Sequence, residues 1–258
     1  MKRIRAFSMR NLREMLRDPL SYIFCLGFPL VMLIILTLVN RSIPPEAGQH
    51  SFEIQYLTPA IAVFGQTFVM LFTALTVSHD RGGAFLLRLY ATPMKAKDFV
   101  LGYIFPMLLI AFVQSVITFC AGKIIAVING DAFSAAAALA GIVSLLPSAL
   151  MYISLGLLFG TLFTEKSAPG LCSVIISLNS FLGCVFFDAD AAGGIMLTIC
   201  KCLPFYYCTR TVRSAFVSGI AVSADTFWIP LLITVLAAVI AMLAALYAFS
   251  RKMLADLG

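Results

Sequence analysis

Few side chains in this sequence stand where they could do chemistry. His50 and His79 are isolated from each other and from any partner at metal-ligand spacing. Seven cysteines show neither Cys-x-x-Cys nor a zinc-like arrangement. Cys25, Cys120 and Cys172 read as small apolar fillers. Among Cys184, Cys200, Cys202 and Cys208, a disulfide and ordinary burial are both open. Asp188-Ala-Asp190 could approach a cation, although a solvated loop accounts for it more simply. Gly122-Lys123 is followed by Ile124 and lacks the earlier glycine of Gly-x-x-x-x-Gly-Lys-Ser/Thr, so the phosphate loop of an ATPase is missing. No metal site, cofactor or catalytic group is expected in this chain. Gln66, Gln114 and Asn179 are a different matter. Each sits near the middle of a long apolar run. A carboxamide there is costly unless it finds a partner. It either bonds to a neighbouring helix or lends weak polarity to a path.

The richest polar stretch runs from Ser78 to Asp98. Asp80, Arg81, Arg88, Lys95 and Lys97 keep it out of an apolar interior. Phe85, Leu86, Leu89 and Tyr90 nevertheless recur at i, i+1, i+4 and i+5, which gives one apolar helical face. Gly82-Gly83 breaks the chain before that helix, and Thr92-Pro93 ends it. So short a helix is marginal alone, so it is expected to dock, on lipid headgroups or in a groove of a soluble partner.

The elements that position these residues follow from composition. The chain is 61% hydrophobic and 12% charged, with mean hydropathy +1.01. A soluble domain would carry about twice that charge. The few charges divide the sequence into runs at 19–40, 54–78, 99–122, 134–164, 167–187 and 226–250. Each reaches the ~20 residues needed to cross hydrocarbon. The expected fold is therefore all-α and integral to a membrane, with six transmembrane helices. Gly156-x-x-x-Gly160 in the fourth run offers a close-packing face. Phe28-Pro29 predicts a kink in the first. Between the fifth and sixth runs, Ala191–Cys200 is apolar but too short to span, and it reads as part of a re-entrant or interfacial helical segment. With no internal repeat and no soluble domain, residues 1–258 are expected to form one transmembrane domain.

Thirteen of the 18 basic residues fall on the side that holds both termini. The positive-inside rule makes that side cytoplasmic in a cell membrane. The net charge of +6 thus reads as topology, and nucleic-acid binding is not needed to explain it. Residues 1–18 lack the pattern of a cleaved signal peptide. Ile4, Phe7, Leu12, Met15 and Leu16 fill one half of a helical wheel, and Lys2, Arg3, Arg10, Arg13 and Arg17 most of the other. This predicts an amphipathic helix lying on membrane lipid.

Three stretches then carry a family resemblance. The first is Arg13-Glu14 through Arg17-Asp18-Pro19, leading to Phe28-Pro29. The second is Asp80-Arg81-Gly82-Gly83 through Arg88-Leu89 to Thr92-Pro93, followed by Gly102 and Gln114. The third is Leu203-Pro204-Phe205-Tyr206-Tyr207 ahead of Arg213. In this order and frame the chain resembles the permeases of the ABC type-2 family, the membrane subunits of ATP-driven exporters. It departs from them where Leu87 stands in place of a common acidic residue before Arg88. The resemblance implies that the 82–92 segment is a coupling helix docked on an ATP-binding subunit. Asp80, Arg81, Gly83, Phe85, Leu86, Arg88 and Leu89 would carry the coupling. ATP and magnesium would sit on that partner, and two copies of this chain, a homodimer, would complete the complex. Gln66, Gln114 and Asn179 are the candidate substrate path. With no charge in mid-membrane, a small hydrophobic or amphiphilic drug or antibiotic is the expected cargo; a lipid-linked glycan or sodium are the alternatives. An ion-coupled secondary transporter is the rival class, and it lacks the intramembrane ionisable residues it would need.

Overall fold

The computed structural model describes residues 2–42, 52–83, 85–86, 94–131, 133–218 and 224–255, and every regular element among them is helical. Apolar runs with no water to satisfy their backbone close their hydrogen bonds within helices. In chain order these are α1 (Lys2–Arg17), α2 (Pro19–Tyr22), α3 (Phe28–Ser42), α4 (Ile54–Gly82), α5 (Ala96–Asn129) and α6 (Ala135–Ser144). There follow α7 (Leu146–Leu162), α8 (Ala168–Leu182), α9 (Ala189–Ala192), α10 (Gly194–Lys201), α11 (Pro204–Ser218) and α12 (Ile229–Ala255). The expected kink at Phe28-Pro29 takes the form of a wide π turn, Ile23–Gly27, joining α2 to α3. Proline lacks an amide and crowds the carbonyl four residues back. The wide turn absorbs this misfit, and the Phe28 amide bonds the Ile23 carbonyl, five residues back.

Among the described residues, five helical runs are long and apolar enough to cross a membrane: Ile23–Ser42, Ile54–Gly82, Ala96–Asn129, Ala135–Leu162 and Asp225–Met253. The sixth expected span, 167–187, differs. Its helix α8 has only 15 residues, about 22 Å, short of the ~30 Å of hydrocarbon. The charge-free run includes an apolar turn beyond the helix. The helix stops at Gly183, and Cys184 turns left-handed with φ 58°. The chain then continues through α9, α10 and α11 before α12. All seven cysteines are free thiols.

The helices share two ends. Phe249 of α12 lies 5.9 Å from Phe99 at the start of α5, and α1 packs on the same end of α5, so the described chain ends lie together. At the opposite, distal end Arg41 of α3 donates to Asn129 of α5, and Arg213 of α11 donates to the Tyr56 carbonyl of α4. Helix α4 is the spine: 83% of its apolar stretch is buried, against 22% for α3 and 28% for α12. The outer helices expose Ile34, Leu38, Ile240 and Leu243, side chains that lipid accommodates without penalty.

Two glycines set the distance between α4 and α7. A Cβ on Gly156 would come within 2.4 Å of the Met70 carbonyl, and one on Gly160 within 2.5 Å of the Ala74 carbonyl. Valine at either position must push the helices apart, an overpacking cost of about 1–3 kcal/mol. Gly156→Val and Gly160→Val should therefore lower the melting temperature of the detergent-purified chain. Gly170→Ala, with nothing within 4 Å of its Cβ, should not. Equal melting of Gly160→Val and the parent would refute the close α4–α7 contact.

Candidate functional site

One cluster of polar groups lies at the end that holds the chain termini. Asp80, in the last turns of α4, is only 3% exposed. Arg10 of α1 grips it with two bonds, Nη1 to Oδ2 at 2.7 Å and Nη2 to Oδ1 at 2.9 Å. Tyr103 of α5 donates its hydroxyl to the same Oδ2 at 2.7 Å. Three helices thus meet on one carboxylate. Burial works against the Arg10 charge, but the hydrogen bond and attraction of Asp80 outweigh it and raise its pKa above the ordinary value. Glu14, one turn along α1, adds a contact at 2.6 Å.

Around this charge cluster lies an aromatic one. Phe7 meets Tyr103 edge-on at 5.0 Å and Phe99 at 5.6 Å. Its ring occupies the space where Gly102 has no Cβ, which would otherwise approach a ring carbon to 2.2 Å. The Gly102 carbonyl accepts from Asn11 at 3.3 Å. The guanidinium of Arg10 stacks 3.8 Å from the centroid of Phe85, a cation–π contact that suits a planar cation. The buried face of α1 is therefore Phe7, Asn11 and Met15. Arg10, expected on the water-facing half of the wheel, is turned inward onto Asp80. Asn11, a buried polar residue at i+4 from Phe7, was the one signal of this contact in the sequence.

The residues singled out for coupling are placed as follows. Asp80 is inside the junction. Arg81 faces the other way and donates to the Thr161 and Gly160 carbonyls, so it caps the C-terminal end of α7. Gly83 is exposed and closes α4, its amide bonding the His79 carbonyl at 3.1 Å. Phe85 is half-buried beneath Arg10, and Leu86 is buried within the core of this chain. Arg88 and Leu89 lie outside the described residues. Past them α5 opens at Lys95, whose amide donates to Asp98 at 3.0 Å.

The three carboxamides are each buried and are not brought together. Gln66 donates to the Leu145 carbonyl at 3.1 Å and accepts from Ser148 at 2.7 Å, fixing α4 to the α6–α7 joint. Gln114 lies over Gly65, which has no Cβ to block it, and donates to the Ala62 carbonyl at 3.4 Å. Asn179 accepts from Tyr152 at 2.7 Å. Gln114 Oε1 and Asn179 Nδ2 have no hydrogen-bond partner among the described residues.

The Arg10–Asp80 pair makes an asymmetric prediction. Removing Arg10 strands a buried carboxylate, whereas removing the Asp80 charge leaves a half-exposed guanidinium that can turn to water. Arg10→Met should destabilise the purified chain by about 3 kcal/mol, and Asp80→Asn by about 1 kcal/mol. Denaturation of both variants, followed by a folded-state probe, checks the order. Equal or reversed losses would mean that the carboxylate is not buried as described.

The family model for ABC-2 type transporters matches residues 2–217, which takes in the junction, the carboxamides and most of the distal helices. No curated protein matches the chain. Permeases of this family work with an ATP-binding-cassette subunit. A membrane-embedded helical bundle matched over most of its length by this model places the chain in the ABC-2 type transporter family, as a permease subunit.

Proposed function

We propose that this chain is the transmembrane half of an ATP-driven exporter for a small hydrophobic or amphiphilic compound, of the drug or antibiotic kind. ATP and magnesium are bound by a separate subunit, and two copies of this chain form the membrane part. The end that holds the termini faces the cytoplasm, a reading that the basic bias supports. The observation that carries this reading is the seat of Phe85. It leaves α4 just past the Arg10–Asp80–Tyr103 junction and is clamped by Arg10 at 3.8 Å. A segment docked on an ATPase needs such a rigid base, because a force delivered to a loose loop is lost in the loop. In the sequence Arg88 and Leu89 follow Phe85 at i+3 and i+4, the spacing that puts residues on one helical face.

The chemistry of the helix interior supports the cargo class. Gln66, Gln114, Asn179, Ser148 and Tyr152 are buried there, and all are uncharged. Gln114 and Asn179 keep one unengaged polar atom each, and they are the better candidates for the path. Gln66 is fully occupied in joining helices.

The test is transport by the complex with its ATPase subunit in inverted vesicles. Phe85→Asp removes the ring that seats the segment under Arg10, and Leu89→Asp places a charge on its apolar face. ATP-dependent accumulation of an amphiphilic fluorescent substrate should fall at least tenfold, with the chain still inserted. Undiminished accumulation in both variants would overturn the assignment of this segment to coupling.

A further inference from the structure

At the distal end a cavity of about 250 Å³ opens between the start of α4, the turn after α8, α9 and α11. Tyr56, Cys184, Asp188, Asp190, Thr209 and Arg213 are among its lining residues. Two of these hold buried polar atoms with no partner among the described residues: Nη2 of Arg213 and Oγ1 of Thr209. They lie four residues apart on α11, one helical turn, and so on one face. Arg213 is oriented by its Nε, which donates to the Tyr56 carbonyl at 3.2 Å. Burial lowers its pKa below the ordinary arginine value, partly offset by Cys184, Asp188, Tyr56 and Asp190 nearby. An arginine carries its charge at neutral pH even so.

The neighbouring carboxylates are each engaged through one oxygen, Oδ1. Asp190 accepts from the Tyr206 hydroxyl at 2.7 Å and from Arg210 at 3.2 Å. Asp188 caps α9, accepting from the amides of Asp190 and Ala191 at 2.9 and 3.4 Å. Among the described residues at this cavity, the buried side-chain atoms left without a partner are a guanidinium nitrogen and a hydroxyl. A buried donor without an acceptor is costly, and a guanidinium fork matches the oxygens of phosphate or carboxylate.

We propose that this distal cavity binds an oxyanion of the phosphate type, held by Arg213 with Thr209 as second donor. The proposal is independent of the export reading and of the coupling segment. At a membrane surface that chemistry has two sources, the headgroup of an anionic lipid and a free small anion.

The experiment uses the purified full chain in nanodiscs, made either of phosphatidylcholine alone or with added phosphatidylglycerol. Native mass spectrometry reads the phosphatidylglycerol retained after mild delipidation. Thermal shift in phosphatidylcholine discs reads inorganic phosphate. Retention of phosphatidylglycerol by the parent, weakened roughly tenfold or more in Arg213→Gln, identifies the lipid as the source. A phosphate-dependent rise in melting temperature that is lost in the same variant identifies the free anion. Should Arg213→Gln fail to fold, Thr209→Val decides by the same two readouts, with a smaller loss expected. If the parent binds neither probe, or if the folded variants bind as tightly as the parent, the proposal is overturned.

Discussion

A single buried carboxylate organises the end of the molecule where the chain begins and ends. Asp80 has α4 behind it, Tyr103 of α5 on one side and Arg10 of α1 across it. Desolvating a charge is expensive, and the attraction of a partner offsets that expense only with good geometry and additional hydrogen bonds. Here the geometry is bidentate and a third donor is present. The same guanidinium also stacks on Phe85, so one side chain ties a surface helix, two long helices and the next segment together. Lysine, a point charge without a planar face, could not make both contacts. The amphipathic character of α1 thus serves a contact inside the protein. The helix is a strut whose buried face is specific to α5.

The spine behind this junction is held by a different physics. Between α4 and α7 there is no hydrophobic drive if lipid surrounds them, so close van der Waals contact and hydrogen bonds must hold the pair. Gly156 and Gly160 supply the approach, and Gln66 with Ser148 supplies the bond. Arg81 closes the end of α7 from α4. Each of these contacts joins the same two helices, so α4 and α7 form one stiff unit.

How much of this was legible in the sequence depends on the range of the interaction. Charge-free runs located the five long spans because a membrane acts on every residue locally. They overextended α8, since an apolar turn at Gly183-Cys184 carries no charge to mark it. Gly156-x-x-x-Gly160 was readable as a face that could pack, but its partner was not. Arg10 and Asp80 are 70 positions apart. No periodicity links them, and an arginine on an amphipathic helix has an ordinary explanation in water and lipid phosphate. Asn11, in line with Phe7 and Met15 on the helix, is the polar residue that could have signalled that this face meets protein. The carboxamides were visible as expensive groups in apolar runs. Their partners are carbonyls and hydroxyls on other helices, and these became visible only in the fold.

The two ends of the bundle are joined by an uninterrupted piece of backbone. From Tyr56 to Asp80 α4 is one helix, despite Pro59 in its second turn. The proline has no amide to bond the Gln55 carbonyl four residues back, yet the helix continues through it. At about 1.5 Å per residue the distance is roughly 36 Å. At one end of it Asp80 is locked to Arg10; at the other the Tyr56 carbonyl orients Arg213. Coupling between two such sites requires an element with two arrangements, not merely a stiff connection. α4 supplies the stiff connection, and its burial against α7 leaves little room for bending. Any second arrangement must therefore arise at the ends. At the distal end, that is where α11 leans on Tyr56 and the cavity holds unanswered donors. An anion seated there would favour whichever arrangement closes Arg213 onto it, and by reciprocity the state of the junction would alter the hold on that anion.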